Sequence, residues 1–231
     1  MRMVPAMSSL SEKAAASRAA LEGLLARAEP GRVAVAWTGG KDSTVALALW
    51  REVLESRGLG PLRALNLDTG LKFPEIIAFR DRLAREWGLE LTIVRPEVDL
   101  SSYPVARDKV ACCRDLKIAP LSRALREADI AVLITGLRGD EHAARAGLPF
   151  LEERPDPPHL RANPLADWTE MDIWAHILER GLPYCDLYLQ GYRSLGCMPC
   201  THLPTDPADE RSGRDQDKER HMAELRSLGY F

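Results

Sequence analysis

The stretch over residues 33–49 reads VAVAWTGGKDSTVALAL and constrains the fold more than any other part of the chain. A short apolar run ends at a Gly-Gly turn and the polar step KDS begins an apolar helix, which predicts a strand, a tight loop and a helix N-terminus. Backbone N–H groups at a helix start are unpaired and carry the positive end of the helix dipole. We therefore predict a phosphate-binding loop, in which Gly39 and Gly40 let the anion approach the backbone and Lys41 adds a charge.

Apolar runs and helical patterns alternate along much of the remaining chain. Further strands are predicted over residues 62–67, 89–94 and 131–135. Helices are predicted over residues 8–27, 43–56, 72–87, 117–126 and 171–180. This alternation predicts a doubly wound α/β domain with a parallel sheet and right-handed crossovers. We expect Asp68, at the carboxyl end of the second strand, to face the ligand crevice, and the proline-rich residues 150–164 to form an extended loop over the nucleotide.

Length, charge and apolar content narrow the class of protein. The chain has 231 residues, is 45% hydrophobic and carries a net charge of -3, so its overall electrostatics favour neither a nucleic acid nor an anionic membrane as a partner. Because no apolar run suits a membrane span or a signal peptide, we expect a cytoplasmic protein. The expected organisation is a helical extension over residues 1–30, a nucleotide-binding domain with the cysteine site over 31–203, and a mobile tail over 204–231.

Four of the five cysteines form two close pairs, Cys112-Cys113 and Cys197-x-x-Cys200. In a reducing compartment such pairs more often hold metal than form disulfides. Four thiolates can hold a tetrahedral zinc ion or an iron–sulfur cluster. Adjacent cysteines hardly reach one small ion at tetrahedral angles, which favours a four-iron four-sulfur cluster over zinc, with buried unligated thiols as the third alternative.

The motifs, taken together, resemble a known family. The loop TGGKDS resembles the SGGKDS loop of the PP-loop, or adenine nucleotide alpha hydrolase-like, superfamily, with Thr in place of the first Ser. The further order LDTG, CCRDLKIAPL, TGLR, NPLADWT and GYRSLGCMPCT is similar to the APS/PAPS reductases, or sulfonucleotide reductases. The paired cysteines match the subgroup that carries a four-iron four-sulfur cluster and acts on adenosine 5'-phosphosulfate. The resemblance covers most of the chain.

The resemblance implies roles for individual residues. The expected nucleotide contacts are Thr38, Gly39, Gly40, Lys41, Asp42, Ser43 and Asp68. The expected cluster ligands are Cys112, Cys113, Cys197 and Cys200. Lys117 takes the position that links cluster and sulfate. The arginines expected around the phosphosulfate are Arg138, Arg145, Arg211 and Arg214, whose planar guanidinium groups suit phosphate and sulfate oxygens. A solvated charged face is the alternative for Arg211 and Arg214.

One departure from the family pattern bears on the reaction. The family reductases attack the sulfate with a cysteine in a C-terminal ECGLH segment, whereas no cysteine follows Cys200 here. The ending instead resembles the small subunit of the two-subunit ATP sulfurylase. This leaves three alternatives to the reductase: an adenylyltransferase assisted by Mg²⁺, a PP-loop sulfur-transfer enzyme that uses the cluster, and a nucleotide-binding regulatory protein.

The remaining cysteine, Cys185, is the candidate nucleophile within the chain, with a packed core residue as the alternative. The reductase hypothesis implies adenosine 5'-phosphosulfate or a related adenine nucleotide as ligand, and thioredoxin or another thiol reductant as partner. A sulfurylase-like chain would work beside a GTPase subunit. The sequence leaves a homo-oligomer open.

Overall fold

The computed structural model of the chain describes residues 9–230 and builds them around a six-stranded sheet with helices on both faces. The strands are β1 (Val33–Ala36), β2 (Arg63–Leu67), β3 (Glu90–Val94), β4 (Val132–Ile134), β5 (Leu151–Pro155) and β6 (Pro158–Ala162). The helices are α1 (Leu10–Glu22), α2 (Lys41–Ser56), α3 (Pro74–Glu86), α4 (Lys109–Cys113), α5 (Ala119–Glu127), α6 (Glu170–Arg180), α7 (Gln216–Arg220) and α8 (Met222–Ser227). A π-turn over Arg114–Ile118 joins α4 to α5.

The strand order in the sheet is β3-β2-β1-β4-β6-β5. All neighbouring pairs are parallel except β5 with β6, so the predicted parallel α/β fold is confirmed. The chain leaves β1 towards β2 on one side and returns to β4 on the other, which makes the gap between β1 and β4 the switch point of the sheet. In open α/β sheets, ligands bind beyond the carboxyl ends of the strands at this point.

The core lies between β1, α2 and the helices that cover α2. The first three residues of β1 are fully buried, as are Trp37 and Trp50. Helix α1 adds Leu21 and Leu24 to the same cluster and packs against α2 and α6. Helix α1 therefore buries its apolar residues against other helices.

Residues 150–164 form a β-hairpin rather than the predicted extended loop. Strand β6 pairs in parallel with β4, and β5 closes that edge of the sheet. The prediction of a loop was wrong because it took the prolines as strand breakers. Pro155 and Pro158 in fact lie opposite each other at the end of the hairpin. At the end of an edge pair, the missing N–H of proline removes no bond that the sheet requires.

Two other segments test local predictions. Helix α6, predicted over residues 171–180, begins after Thr169, which forms a reciprocal capping box with Asp172. It ends at Gly181, which takes the left-handed conformation. The tail, expected to be mobile, folds onto the domain through α7 and α8 and buries Met222 and Leu225. Within residues 9–230, no helix combines the length and apolar character that crossing a membrane requires.

Candidate active site at the switch point of the sheet

A cavity of about 270 Å³ opens at the switch point between β1 and β4. The loop after β1 forms one wall, and the segment after β4 forms another. Apolar side chains from the strands and α5 line one side: Ala36, Leu67, Leu121, Leu125 and Leu133. The cysteine-bearing segments and the tail close the opposite side, so the cavity has an apolar part and a charged part.

The predicted phosphate loop lies at this cavity. Thr38, Gly40, Asp42 and Ser43 line it, and the Ser43 hydroxyl accepts a hydrogen bond of 3.2 Å from the Thr38 backbone N–H. The segment after β4 approaches so closely that a Cβ on Gly136 would lie 2.5 Å from the Ser43 nitrogen. Only glycine fits there, and the contact holds the N-terminus of α2 against the switch point.

The side chains of Lys41 and Arg138 turn away from the cavity into a buried charge cluster. The Lys41 ammonium donates to Glu210 at 2.5 Å and to the Arg193 carbonyl at 3.0 Å. Arg138 is fully buried and bonds Asp42 at 2.6 Å, Asp140 at 2.6 Å and also Glu210. Burial opposes the charge of Lys41 and Arg138, but Asp42 and Glu210 raise the pKa of both groups.

This cluster changes how the loop can bind an anion. Neither Lys41 nor Arg138 lines the cavity, although the sequence placed Lys41 at the phosphate and Arg138 at the sulfate. Both side chains instead form ion pairs that hold the loop, α2 and the segment after β4 together. The loop therefore presents its backbone and the hydroxyl groups of Thr38 and Ser43 to a ligand.

The remaining predicted arginines line the cavity from the tail side. Arg145 and Arg211 share the carboxylate of Glu141, and Arg211 also bonds Glu219 at 2.7 and 2.9 Å. Burial raises the pKa of Glu141, but Arg145 and Arg211 outweigh it and lower that pKa to about 2. Arg211 is thus a buried, paired residue, which is not what a solvated charged face would show.

Arg214 differs from these two arginines because no carboxylate of residues 9–230 pairs with it. It is buried, donates to the Thr201 hydroxyl at 3.1 Å, and lines the cavity. Within residues 9–230, its Nε has no hydrogen-bond partner. Its guanidinium lies so close to Gly196 that a Cβ there would be 2.3 Å from an Nη atom. A guanidinium with open donors beside a cavity is suited to an anionic ligand.

The four paired cysteines come from distant segments into one neighbourhood. All are free thiols. Burial, followed by Cys113, Cys197 and Cys200, raises the pKa of Cys112, which shows that the four thiols interact. Within the described residues, no three His, Cys, Asp or Glu side chains converge closely enough to hold a single metal ion. Lys72 and Cys197 pair as an isolated β-bridge, which connects the segment after β2 to the second cysteine pair.

Cations surround these cysteines. Burial raises the pKa of the Cys197 thiol, but Lys117 and Lys72 outweigh it and lower that pKa to about 7. The pKa of Lys72 is itself lowered to about 8, first by burial and then by Lys117. Lys117 and Lys218 both donate to the Tyr230 hydroxyl, at 3.1 and 2.7 Å. Lys117 thus lies near Cys197 and lines the cavity.

Two sequence-predicted site residues lie elsewhere. The Asp68 carboxylate bonds Arg80 at 3.3 Å and Arg95 at 3.5 Å and does not line the cavity, because these arginines hold it aside. Cys185 is fully buried in the main core, and burial raises the pKa of its thiol. An inaccessible thiol with a raised pKa is a poor nucleophile, so the placement fits the alternative of a packed core residue.

Sequence reasoning missed several residues of the site. Lys72 and Tyr230 line the cavity, Glu210 lies in the charge cluster behind the loop, and Lys218 donates to the Tyr230 hydroxyl. None of the four received a role. Lys218 and Glu210 belong to a charged, punctuated segment, which is typical of solvent-exposed chain. Lys218 could have been identified from its position on one face of α7. Lys72 could have been identified because it directly follows the LDTGL segment.

A family model described as the phosphoadenosine phosphosulfate reductase domain matches residues 32–203. The chain belongs to the phosphoadenosine phosphosulfate reductase family. The matched range contains the loop, all four paired cysteines and Lys117, so the family that the motifs indicated is confirmed. Family members are sulfonucleotide reductases of sulfate assimilation, oxidoreductases that act on a sulfur group. The tail that supplies Arg211, Arg214 and Tyr230 lies outside the matched range.

Individual relatives agree with this assignment. The adenosine 5'-phosphosulfate reductase of Neisseria meningitidis is 39% identical over 161 residues, which cover 64% of this chain and 65% of that protein. The enzyme of the same name from Allochromatium vinosum is 36% identical over 187 residues, covering 76% of this chain and 70% of its own length. The aligned part thus spans about two thirds of these relatives.

A solved structure supports the fold. The phosphoadenylyl-sulfate reductase of Candida auris, a phosphate complex, superposes with a TM-score of 0.61 at 20% identity. The superposition covers 84% of this chain and 97% of that one. At this identity the likeness shows the fold, which is the doubly wound PP-loop type that the sequence predicted.

Proposed function

We propose that the chain is a sulfonucleotide reductase that binds adenosine 5'-phosphosulfate, or its 3'-phosphorylated form, and releases sulfite with a thiol reductant. The observation that carries the proposal is the charge at the cysteine end of the cavity. We define this end by Lys72, Lys117 and Arg214, which line the cavity, and by Lys218, which is buried behind the Tyr230 hydroxyl. Within residues 9–230, none of these four cations forms an ion pair with a carboxylate. Cations without anionic partners beside a cavity favour an anionic ligand.

The two parts of the cavity suit the two parts of such a nucleotide. The apolar side chains of β2, β4 and α5 offer a surface for the adenine ring, and the loop after β1 offers its backbone N–H groups to the phosphate. The sulfate then extends towards Lys117 and Arg214. Ammonium and guanidinium groups in a partly buried site stabilise the charge that develops on sulfonyl oxygens during transfer.

The reaction needs a thiol from outside the cavity wall, since Cys185 is buried in the core. A thiolate attacks the sulfate sulfur, the bond between sulfur and the bridging oxygen breaks, and AMP leaves with the bonding electron pair. A second thiol attacks the sulfur that carries the sulfonate, which forms a disulfide and releases sulfite. The two thiols lose a pair of electrons and two protons, and the sulfate sulfur gains the electron pair. Thioredoxin or a small dithiol supplies both thiols.

The cysteine chemistry fits an iron–sulfur cluster held by Cys112, Cys113, Cys197 and Cys200. The donor set is four free thiols in one neighbourhood, and Lys117 and Lys72 favour the thiolate form of Cys197. Because adjacent cysteines hardly reach one small ion at tetrahedral angles, the Cys112-Cys113 pair favours a cluster with separate iron atoms over zinc. Held by these four cysteines, a cluster would supply negative charge near Lys117, which lines the cavity.

The test is a paired assay on protein purified without oxygen. With adenosine 5'-phosphosulfate and reduced thioredoxin or dithiothreitol, we expect sulfite and AMP in equal amounts. The variant Lys117→Met loses most of this activity, whereas Arg220→Ala, which removes an exposed tail cation, retains it. If no sulfite appears, while ATP, sulfate and Mg²⁺ give pyrophosphate, the chain is an adenylyltransferase, and a GTPase subunit becomes the partner to seek.

A further inference from the structure

The tail brings one aromatic residue, Tyr230, to the wall of the cavity. Helix α8 ends at Ser227, and Gly229 takes a left-handed conformation with φ at 91° that reverses the chain. The Tyr230 backbone N–H then donates to the Leu225 carbonyl at 2.9 Å. This turn directs the Tyr230 ring against the cluster around Met222 and Leu225, with its hydroxyl at the cysteine end.

The hydroxyl of Tyr230 bridges two lysines that come from opposite sides of the site. Lys218 on α7 donates to it at 2.7 Å, and Lys117 in the π-turn donates to it at 3.1 Å. The same ammonium groups lie 4.5 and 5.2 Å from the centre of the Tyr230 ring. Two ammonium groups around one oxygen repel each other, and neither has a carboxylate partner among the described residues. The phenol therefore provides both with a shared acceptor and a negative ring face.

Resting on the proposed function, we propose that Tyr230 is a positioning residue that determines specificity for the sulfate end of the nucleotide. Its hydroxyl holds the Lys117 ammonium group at the cavity, where this group can donate to sulfonyl oxygens, and accepts from the buried Lys218 ammonium group on its other side. Without the hydroxyl, the repulsion between the two lysines drives them apart. Lys117 then leaves the position from which it contacts the sulfate.

The geometry favours positioning over simple packing. A residue that served only as an apolar anchor for the tail would need the ring and not the oxygen, yet the oxygen forms both lysine contacts. Lys218 is almost fully buried, so its ammonium group requires an acceptor inside the protein. The tail thereby contributes to the binding of the sulfate through Lys218 and Tyr230, in addition to Arg214.

The test compares adenosine 5'-phosphosulfate with AMP, which lacks the sulfate, by calorimetry on the full chain. The Tyr230→Phe variant keeps the ring and loses the hydroxyl oxygen. Its affinity for the phosphosulfate should fall about tenfold, which is the loss expected when one hydrogen bond to a charged group is removed. Affinity for AMP stays within about twofold. The matched control is Tyr184→Phe, whose ring packs on Trp174 with centroids 5.4 Å apart and does not line the cavity. It changes neither affinity.

A second variant tests the same bridge in case Tyr230→Phe fails to fold. Lys218→Met removes one ammonium group without leaving a void, and it should weaken the phosphosulfate complex while sparing the AMP complex. Equal weakening of both complexes would show that Tyr230 only holds the fold, and no weakening would show that the bridge has no role. Tighter binding of the phosphosulfate would mean that Tyr230 occupies the sulfate position. Each of these results overturns the inference, whereas a wild-type chain that binds both nucleotides equally refutes the proposed function itself.

Discussion

The two ends of the cavity use their cations in opposite ways. At the loop end, Lys41 and Arg138 are enclosed by three carboxylates, those of Asp42, Asp140 and Glu210. At the cysteine end, four cations have thiols, hydroxyl groups and each other as neighbours. The loop end is therefore balanced before any ligand binds, whereas none of the four cations at the cysteine end forms an ion pair with a carboxylate of residues 9–230. On the proposed function, the anion at the cysteine end is the ligand. The difference indicates that charge supports the fold at one end and recognises ligands at the other.

The largest effect is expected when a paired cysteine is replaced, because the chain should then lose its iron. Protein purified without oxygen should contain about four iron atoms per chain and absorb visible light, and Cys197→Ser should lose both properties. Cys185→Ser is the matched control because that thiol lies in the core, away from the other four, and it should retain the iron. A colourless wild-type protein that carries zinc would contradict the cluster, and equal iron loss in the control would contradict the assignment of ligands.

At the loop end, Glu210→Gln should reduce stability strongly. The change leaves Lys41 and Arg138 buried with too little negative charge, and breaking such a pair typically costs about 3–5 kcal/mol. Urea denaturation measures the loss in the free energy of unfolding. Glu153→Gln, at an exposed position in β5, should change that free energy by less than about 0.5 kcal/mol. Similar values for the two variants would show that the loop end does not depend on its buried charges.

The lowered pKa of Glu141 predicts how the stability of the chain depends on pH. Its pKa of about 2 in the folded chain lies below the usual 4.5, so its contribution is present above pH 4.5 and is lost as the pH falls towards 2. The shift corresponds to about 3 kcal/mol. The variant Glu141→Gln should be less stable at neutral pH and should show a flatter loss of stability between pH 4.5 and 2. An unchanged slope would mean that Arg145 and Arg211 do not hold this carboxylate.

The smallest expected effect has the opposite sign. Lys72 is partly buried with no ion pair in the described region, and burial lowers its pKa. Lys72→Met should therefore raise the free energy of unfolding of the metal-free, ligand-free chain by about 1 kcal/mol. The control, Lys109→Met, removes a lysine that bonds Asp215 at 2.8 Å and should not stabilise. If both variants destabilise equally, the cysteine end is not a region of unbalanced charge.

The sequence predicts those parts of the site whose signals are local. The loop of residues 38–43 was found because a strand, a Gly-Gly turn and a helix start are adjacent in the chain. The cysteine pairs and Lys117 were found through their spacing and the family motifs. Lys41 shows the limit of prediction from local sequence. Its partner Glu210 is 169 residues away, and nothing near Lys41 indicates that its charge is paired within the protein.

Other features depend on long-range packing and could not be predicted in the same way. The hairpin of β5 and β6 is defined by pairing with β4, whereas its prolines locally indicate a loop. Tyr230 reaches Lys117 across 113 residues, through a turn that forms only when α8 packs on the domain. Cys185 was a candidate nucleophile because it was the unassigned thiol, and its burial follows from the core around it.

The central claim is that the unbalanced cations at the cysteine end recognise the sulfate of the nucleotide. The most direct measurement is the affinity of the cluster-loaded wild-type chain for adenosine 5'-phosphosulfate and for AMP, each repeated with Lys117→Met. We expect the wild type to bind the phosphosulfate at least about tenfold more tightly than AMP, and the variant to lose most of this difference. Equal affinities in the wild type, or a difference that survives in Lys117→Met, would contradict it.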